Sequence, residues 1–381
     1  MSNGPFNLTV WRFKRDMRME KSPTFWDQKL LNVDSIAIPS IEDPNAQVLA
    51  FETGAVDWVS DVVTPYRTEM IEAKHQFYAE HRAEYEALKA QGLDPIEIDR
   101  RLPPDKRNRI SVLPALGVYF YNFNCLPKLA DGRDNPFHDA RVRRAFAMAI
   151  DKQALTEHVR RLGERVVSTL IPPGGIPGYS SPKGLPYDPE AARKVLAEAG
   201  YPDGNGFITV EVLFNKEGGH DLIAQAIAKD WERNLGVSVL LQQKEIKVFR
   251  EDLKGANYMT SRAGWFADFG DPITFLDIHR TGDGNNDRKY SSPKFDAMMD
   301  AAANEVDPAV RFKILSEAER YLVEEEMPVV PLFQYEQLYL FDPHKLTGIS
   351  SHPRQDQVLY WCDMLGDGKG RDVPRMMPAG K

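Results

Sequence analysis

The sequence predicts an α/β fold spread over two or three domains. Its 381 residues are 42% hydrophobic and 27% charged, a globular composition at a length beyond one ordinary domain. Residues 207 to 264 alternate strand and helix patterns as β-α-β-α-β, and helical crossovers of this kind join parallel strands in a doubly wound sheet. No run approaches the roughly 18 consecutive apolar residues of a membrane span.

The opening reads as strands. Phe6–Val10 alternates, Arg18–Lys21 follows a basic turn, and Val33–Ile38 alternates again. Asp43 is placed to cap a helix with Pro44 at its first position, and Gly54 ends it. Val56–Val59 is a short strand. Residues 65 to 108 are rich in Glu, Lys, Arg and Ala, which predicts one or two solvated helices with a loop at Gly92–Pro95. The expectation there is an exposed structural helix, with partner docking as the alternative.

From Val112 the pattern becomes regular. Gly117–Phe123 is a strand, and Ala140–Ile150 is a helix with Val142, Phe146 and Ile150 on one face. Asp151 is placed to cap a second helix through Leu162, closed by Gly163. Ile171–Pro189 is loop, and Tyr187-Asp188-Pro189 opens a helix that stops at Gly200. Strands at 207 to 214, Val237–Gln242 and Tyr258–Gly264 enclose helices at His220–Leu235 and Ile246–Leu253. In the first of these helices Ile223, Ile227 and Trp231 share a face. Helices follow at Lys294–Glu305 and from Asp307-Pro308 to Met327-Pro328. Val329–Phe333 and Gln337–Phe341 read as two strands, and the tail from Leu365 is expected to be mobile.

A net charge of −8 and a pI near 5.6 argue against nucleic acid or an anionic membrane as main partner. Cys125 and Cys362 show no zinc spacing and are either a disulfide or two free thiols. The sequence holds no P-loop, dinucleotide fingerprint, HExxH or Gly-x-Ser-x-Gly motif, so no cofactor, metal or nucleophile is expected.

The run Ser261-Arg262-Ala263-Gly264-Trp265-Phe266-Ala267-Asp268-Phe269-Gly270-Asp271-Pro272 gathers a cation, an indole and two carboxylates just after the third strand. Ligands of open α/β sheets bind beyond the carboxyl ends of strands, and Trp265 and Asp268 are expected there. Asp268 is either a carboxylate for a ligand ammonium group or an ordinary loop residue. Trp265 is either a wall for the ligand or a core indole. Arg262 either pairs with a ligand carboxylate or serves a structural ion pair. Asp271, standing before Pro272, is expected to cap a helix. An enzyme reading would use Asp268 and Asp271 as acid and base, or His279 as a proton shuttle.

Taken in order, several motifs resemble the family 5 extracellular solute-binding proteins, the oligopeptide- and dipeptide-binding receptors of ABC importers. They are Gly4-Pro5-Phe6 with Trp11, Ser22-Pro23-Thr24-Phe25-Trp26, Phe51-Glu52-Thr53-Gly54-Ala55-Val56-Asp57, and Phe137-His138-Asp139-Ala140-Arg141-Val142-Arg143-Arg144-Ala145. Ile150-Asp151, Tyr187-Asp188-Pro189-Glu190-Ala191-Ala192, Leu196-Ala197-Glu198-Ala199-Gly200-Tyr201, the Ser261–Pro272 run and the Pro328–Leu332 strand complete the set.

The resemblance implies a two-lobed fold of the periplasmic-binding-protein type II kind, closing like a hinge on a peptide. One α/β lobe, residues 118–342, is expected to be complete. Residues 1–117, with a helical insertion at about 65–108, and 343–381 would form part of the other. It implies that Asp268 pairs with the peptide's α-amino group beside Trp265, and that Arg262 meets its carboxylate in some members. The implied protein is a monomer that delivers peptides, unchanged, to an ABC permease, in the periplasm or anchored by lipid outside the cytoplasm. Met1–Phe6 has no basic stretch followed by an apolar core, so no signal peptide is expected there, and the family's region before the Gly-Pro-Phe element is expected to be missing. The charged segment from about Lys74 to Arg107 departs from the family pattern. A peptidase or amidase using the acidic pair, and a sensory ligand-binding module, are the alternatives.

Overall fold

The computed structural model describes residues 3–60, 62, 64–161, 163–216 and 218–365, without the side chains of residues 64 and 65. The predicted tail beyond Leu365 and the predicted helix end at Leu162 lie outside the described residues. In chain order the main elements are β1 (Phe6–Arg12), β2 (Asp16–Lys21), β3 (Ser35–Pro39), α1 (Pro44–Glu52), β4 (Trp58–Val59), α2 (Thr64–Glu80), α3 (Arg82–Ala90), α4 (Pro95–Arg101) and β5 (Ile110–Phe123). They continue with α5 (Ala140–Met148), α6 (Lys152–Ala154), α7 (Pro189–Glu198), β6 (Val210–Asn215), α8 (His220–Leu235), β7 (Val239–Lys244), α9 (Ile246–Gly255) and β8 (Thr260–Phe266). Last come α10 (Ile273–Leu276), α11 (Pro293–Asn304), α12 (Pro308–Arg320), β9 (Val329–Phe341), β10 (Leu346–Thr347) and β11 (Asp363–Met364).

The chain divides into two compact units, Met1–Leu113 with Gln337–Lys381, and Pro114–Glu336. The division falls inside β5 and β9. In the first unit β1, β2 and β3 form an antiparallel sheet. Asp43 caps α1 as expected, accepting from the Ala46 backbone at 2.8 Å. Trp58, Leu113, Tyr339, Phe341 and Leu346 share a small core there.

The charged segment corrects the expectation. It forms three helices with a core of their own, built by Phe77, Leu88, Ile98 and Leu102. Lys74 and Asp99 are 5% and 1% exposed, and they pair at 2.6 Å. The Tyr78 hydroxyl donates to the other Asp99 oxygen, and Lys74 also donates to the Ile110 carbonyl. Burial pushes the Lys74 ammonium down and the Asp99 carboxyl up, and their attraction opposes both shifts. Average composition concealed this inner face: Lys74 and Tyr78 stand four residues apart, one helical turn, so both reach Asp99.

A six-stranded sheet runs in the order β4-β9-β5-β8-β6-β7, and the second unit is an α/β sandwich about the five strands from β9 to β7. The β-α-β-α-β reading holds: α8 and α9 connect three parallel strands, in register at Val210↔Val239 and Val212↔Thr260. The sheet as a whole is mixed, because β5 runs antiparallel to β8. Patterning gives no direction to strands that no crossover helix links. Helices cover both faces. Tyr119, Tyr121 and Phe123 of β5 enter a core with Phe146, Leu196, Ile227 and Trp231. Val118 and Phe120 point the other way, toward Phe275, Phe295, Met299 and Leu315.

Asp188, Ser292 and Asp307 each cap a helix whose first residue is proline. The two strands expected near the end are one, β9. The polar stretch that suggested a break does not interrupt it, since buried Gln334 donates to the Ala115 carbonyl at 2.9 Å. After α6 the helix continues as a π-helical turn over Leu155–Arg160 and stops at Arg161, whose φ is 56°. Cys125 and Cys362 are both buried free thiols. No helix among the described residues is long and apolar enough to cross a membrane.

Removing one member of a buried ion pair strands the other, at about 3–5 kcal/mol. Lys74→Met should therefore lower the unfolding free energy from urea titration by that much, and Lys74→Met combined with Asp99→Leu should regain most of the loss. Equal losses in the single and double variants would contradict a coupled pair.

Candidate functional site

Strand β8 places the groups of the Ser261–Pro272 run. It begins after α9 has ended at Ala256, in the left-handed region at φ 55°, and buried Tyr258 and Met259 anchor its approach. Its register with β5 pairs Trp265 with Val118, Gly264 with Tyr119 and Arg262 with Tyr121. Paired residues share a face. Trp265 therefore points with Val118 and Phe120, and Arg262 and Gly264 point with the tyrosines. Trp265 lies inside the strand rather than past its end, because the strand continues two residues beyond the predicted Gly264.

The loop after β8 is tied at several points. The Ala267 amide donates to the Leu116 carbonyl at 2.8 Å, and the Asp268 amide donates to the Thr274 hydroxyl at 3.0 Å. Asp271 accepts from the Ile273 amide at 3.0 Å, as expected of a cap. It also holds Arg311 in a two-pronged pair at 2.7 and 2.9 Å. Burial pushes its carboxyl up, but these bonds outweigh burial and keep it below the ordinary aspartate value.

Asp268, Phe269 and Gly270 are left exposed between these ties. The Asp268 carboxylate has no hydrogen bond or ion pair among the described residues. Phe266 and Phe269, each 46% exposed, flank it. Phe266 stacks on Tyr335 at 4.5 Å, Tyr335 meets Tyr119 edge-on at 5.8 Å, and Tyr119 stacks on Phe333 at 4.8 Å. The Tyr119 hydroxyl lies 3.0 Å from His220 Nδ1. Burial, with Arg262 and Arg160 nearby, lowers His220 to about 3, so its ring is neutral.

Arg262 has structural partners. Its guanidinium donates to Asn215 Oδ1 through two nitrogens, one of them at 2.6 Å, and lies 5.0 Å from the Phe249 ring centre. His279 does not fit a proton shuttle. It is wholly buried, burial and the neighbouring Arg288 push it well below its usual value, and Arg288 approaches its Nδ1 at 3.1 Å.

A cavity of about 530 Å³ lies beside Trp265 and Arg262. Phe120 and Asn122 of β5, Phe249 and Arg250 of α9, and Asp287 and Arg288 complete most of its wall. Sequence reasoning missed Asn122, Phe249, Arg250 and Arg288. They come from three separate segments that only the sheet assembles, and no local pattern marks them. Among the described residues no cluster of His, Cys, Asp and Glu could hold a metal.

The family model for bacterial extracellular solute-binding proteins, family 5 (middle region), matches residues 1–287. The dipeptide-binding protein DppE of Bacillus subtilis is 27% identical over 374 residues, 95% of this chain and 60% of DppE. The periplasmic oligopeptide-binding protein OppA of Salmonella typhimurium is 25% identical over 354 residues, 90% of this chain and 57% of its own length. A solved oligopeptide-binding protein of Borrelia burgdorferi superposes with a TM-score of 0.70 at 26% identity, covering 95% of this chain and 65% of that one. The chain thus spans about 60% of the length of these curated relatives.

Gly264 has a packing reason. A Cβ there would overlap the Tyr335 hydroxyl and lie 3.0 Å from two of its ring carbons. Gly264→Ala should cost about 1–3 kcal/mol in thermal unfolding, the range for overpacking a filled site. Tyr335→Leu in the same chain should relieve part of that cost. An unchanged Gly264→Ala melting temperature would show that the tyrosine moves freely.

Proposed function

We propose, since this chain belongs to the family 5 bacterial extracellular solute-binding proteins, that it captures peptides outside the cytoplasm and passes them unchanged to a membrane ABC permease. In this reading it works as a monomer, and Asp268 receives the peptide's α-ammonium group. The observation that carries the reading is the unpaired Asp268 carboxylate, exposed between Phe266 and Phe269 on a loop fixed by its neighbours. An exposed carboxylate on a preorganised loop can gain a charge-assisted hydrogen bond with little reordering. The flanking rings supply apolar surface for side chains of varied shape.

Trp265 and Arg262 stand in this proposal as wall residues of the neighbouring cavity, with Arg262 held ready by Asn215 and Phe249. Capture without chemistry is supported by the state of the groups that an acidic-pair hydrolase would need. Asp271 is committed to Arg311 and the Ile273 amide, and His279 is buried and neutral. Neither is available as an acid or base next to Asp268.

A hydrogen bond between charged groups contributes about 1.5–3 kcal/mol. Asp268→Asn should accordingly weaken tri- to pentapeptides with free α-amines roughly 10- to 150-fold in calorimetry, and leave their N-acetylated forms nearly unaffected. An equal effect on both forms would remove the assigned role.

A further inference from the structure

We propose that a pocket in the helical segment of the first unit binds a neutral single-ring aromatic molecule carrying a hydroxyl group, such as a phenol. The inference does not depend on the peptide-receptor reading. Every residue that lines this pocket belongs to the first unit, and none to the Ser261–Pro272 run. Exposed His75 and Pro95 among the lining residues open it to the surface.

Volume sets the size of the guest. The pocket holds about 240 Å³. A cavity of about 150 Å³ suffices for benzene, and pockets for drug-sized ligands begin near about 300 Å³. One ring with one or two substituents fits between these limits. The apolar lining suits a ring. Tyr78 of α2 and Tyr85 of α3, both half-buried, stack at 4.2 Å with their planes 21° apart. Buried Ile71 and Leu113 add aliphatic wall. A flat guest gains offset or edge-on contact with the tyrosine pair, which a saturated ring of the same size cannot make.

Electrostatics sets the substituent. Lys74 and Asp99 line the pocket as an ion pair at 2.6 Å, and the Tyr78 hydroxyl donates to the second Asp99 oxygen. The pair is neutral as a whole. A ligand carboxylate would come to lie near Asp99, and a ligand ammonium near Lys74, each away from most of its water. A neutral oxygen avoids both penalties, and two groups are ready for it. Ser111 lines the pocket, is 2% exposed, and its hydroxyl has no hydrogen bond among the described residues. Buried hydroxyls are normally bonded, so this one calls for a partner. Lys74 has given two of its three N–H donors to Asp99 and the Ile110 carbonyl, and keeps the third. A hydroxyl can donate to one of these groups while it accepts from the other, which a hydrocarbon cannot do.

Calorimetry and ligand-observed NMR on the 381-residue chain would compare phenol with toluene, cyclohexanol, benzoate and benzylamine. Phenol is expected to bind with a dissociation constant below about 1 mM. It should bind at least about fivefold tighter than each of the others. Ser111→Ala, which removes the hydroxyl and little volume, should weaken phenol at least about threefold and leave toluene unchanged. Tyr85→Ala, on the half-buried wall, should weaken phenol and toluene alike. The ranking on the unaltered chain remains a test even where a variant fails to fold. Phenol bound no tighter than toluene or cyclohexanol, or not bound at millimolar concentration, would overturn the inference. So would a preference that both substitutions leave unchanged, because the ring would then sit elsewhere on the molecule. None of these results bears on the peptide titrations that test the receptor reading.

Discussion

Strand β5 carries a constraint that the second unit cannot relax. Successive residues of a strand face opposite sides, so one stretch must satisfy two cores at once. Tyr119, Tyr121 and Phe123 fill one side and Val118 and Phe120 the other, all at 2% exposure or less. A slip of one residue would turn every one of these side chains to the wrong core. The antiparallel register with β8 is locked by the same requirement, and that register decides where Trp265, Gly264 and Arg262 point. The candidate site is thus a consequence of core packing, and the loop bearing Asp268 begins where this ladder ends.

Electrostatics then divides the neighbourhood of β8 into two kinds of group. Some are spent: Asp271 on Arg311, and His279 beneath Arg288. Among the described residues Asp268 on the loop has no partner of opposite charge. The ammonium group that the proposed function assigns to a ligand complements the carboxylate of Asp268. The same economy is absent from the helical segment of the first unit, where the buried Lys74 and Asp99 neutralise each other. That pair ties α2 to α4, and offers no free charge to a partner.

Much of this was legible in the sequence, and the failures have physical causes. Four helices with a proline first and an aspartate or serine before it, α1, α7, α11 and α12, were placed to within a residue or two, because capping chemistry is local, whereas α4, capped in the same way by Asp94 before Pro95, begins where a loop was expected. The parallel strands β6, β7 and β8 followed from their crossover helices. The antiparallel placement of β5 did not, since it depends on pairing across more than a hundred residues. The continuity of β9 was hidden by Gln334 and Glu336, whose polarity imitates a turn. Asp268 could be singled out because a strand end and a family motif coincide there. Arg288 could not, because its burial is a product of the assembled fold. The charged helices misled because composition averages over faces, and one buried face is enough to build a core.

The central proposal is that this chain holds peptides by their α-ammonium group and returns them unaltered. Native mass spectrometry of the 381-residue chain, incubated with an equimolar mixture of free and N-acetylated peptides of known sequence, tests it most directly. The account predicts complexes of one peptide per chain, drawn from the free-amine set, with every released peptide at its original mass. Retention of no peptide, retention of both sets alike, or recovery of shortened products would contradict it.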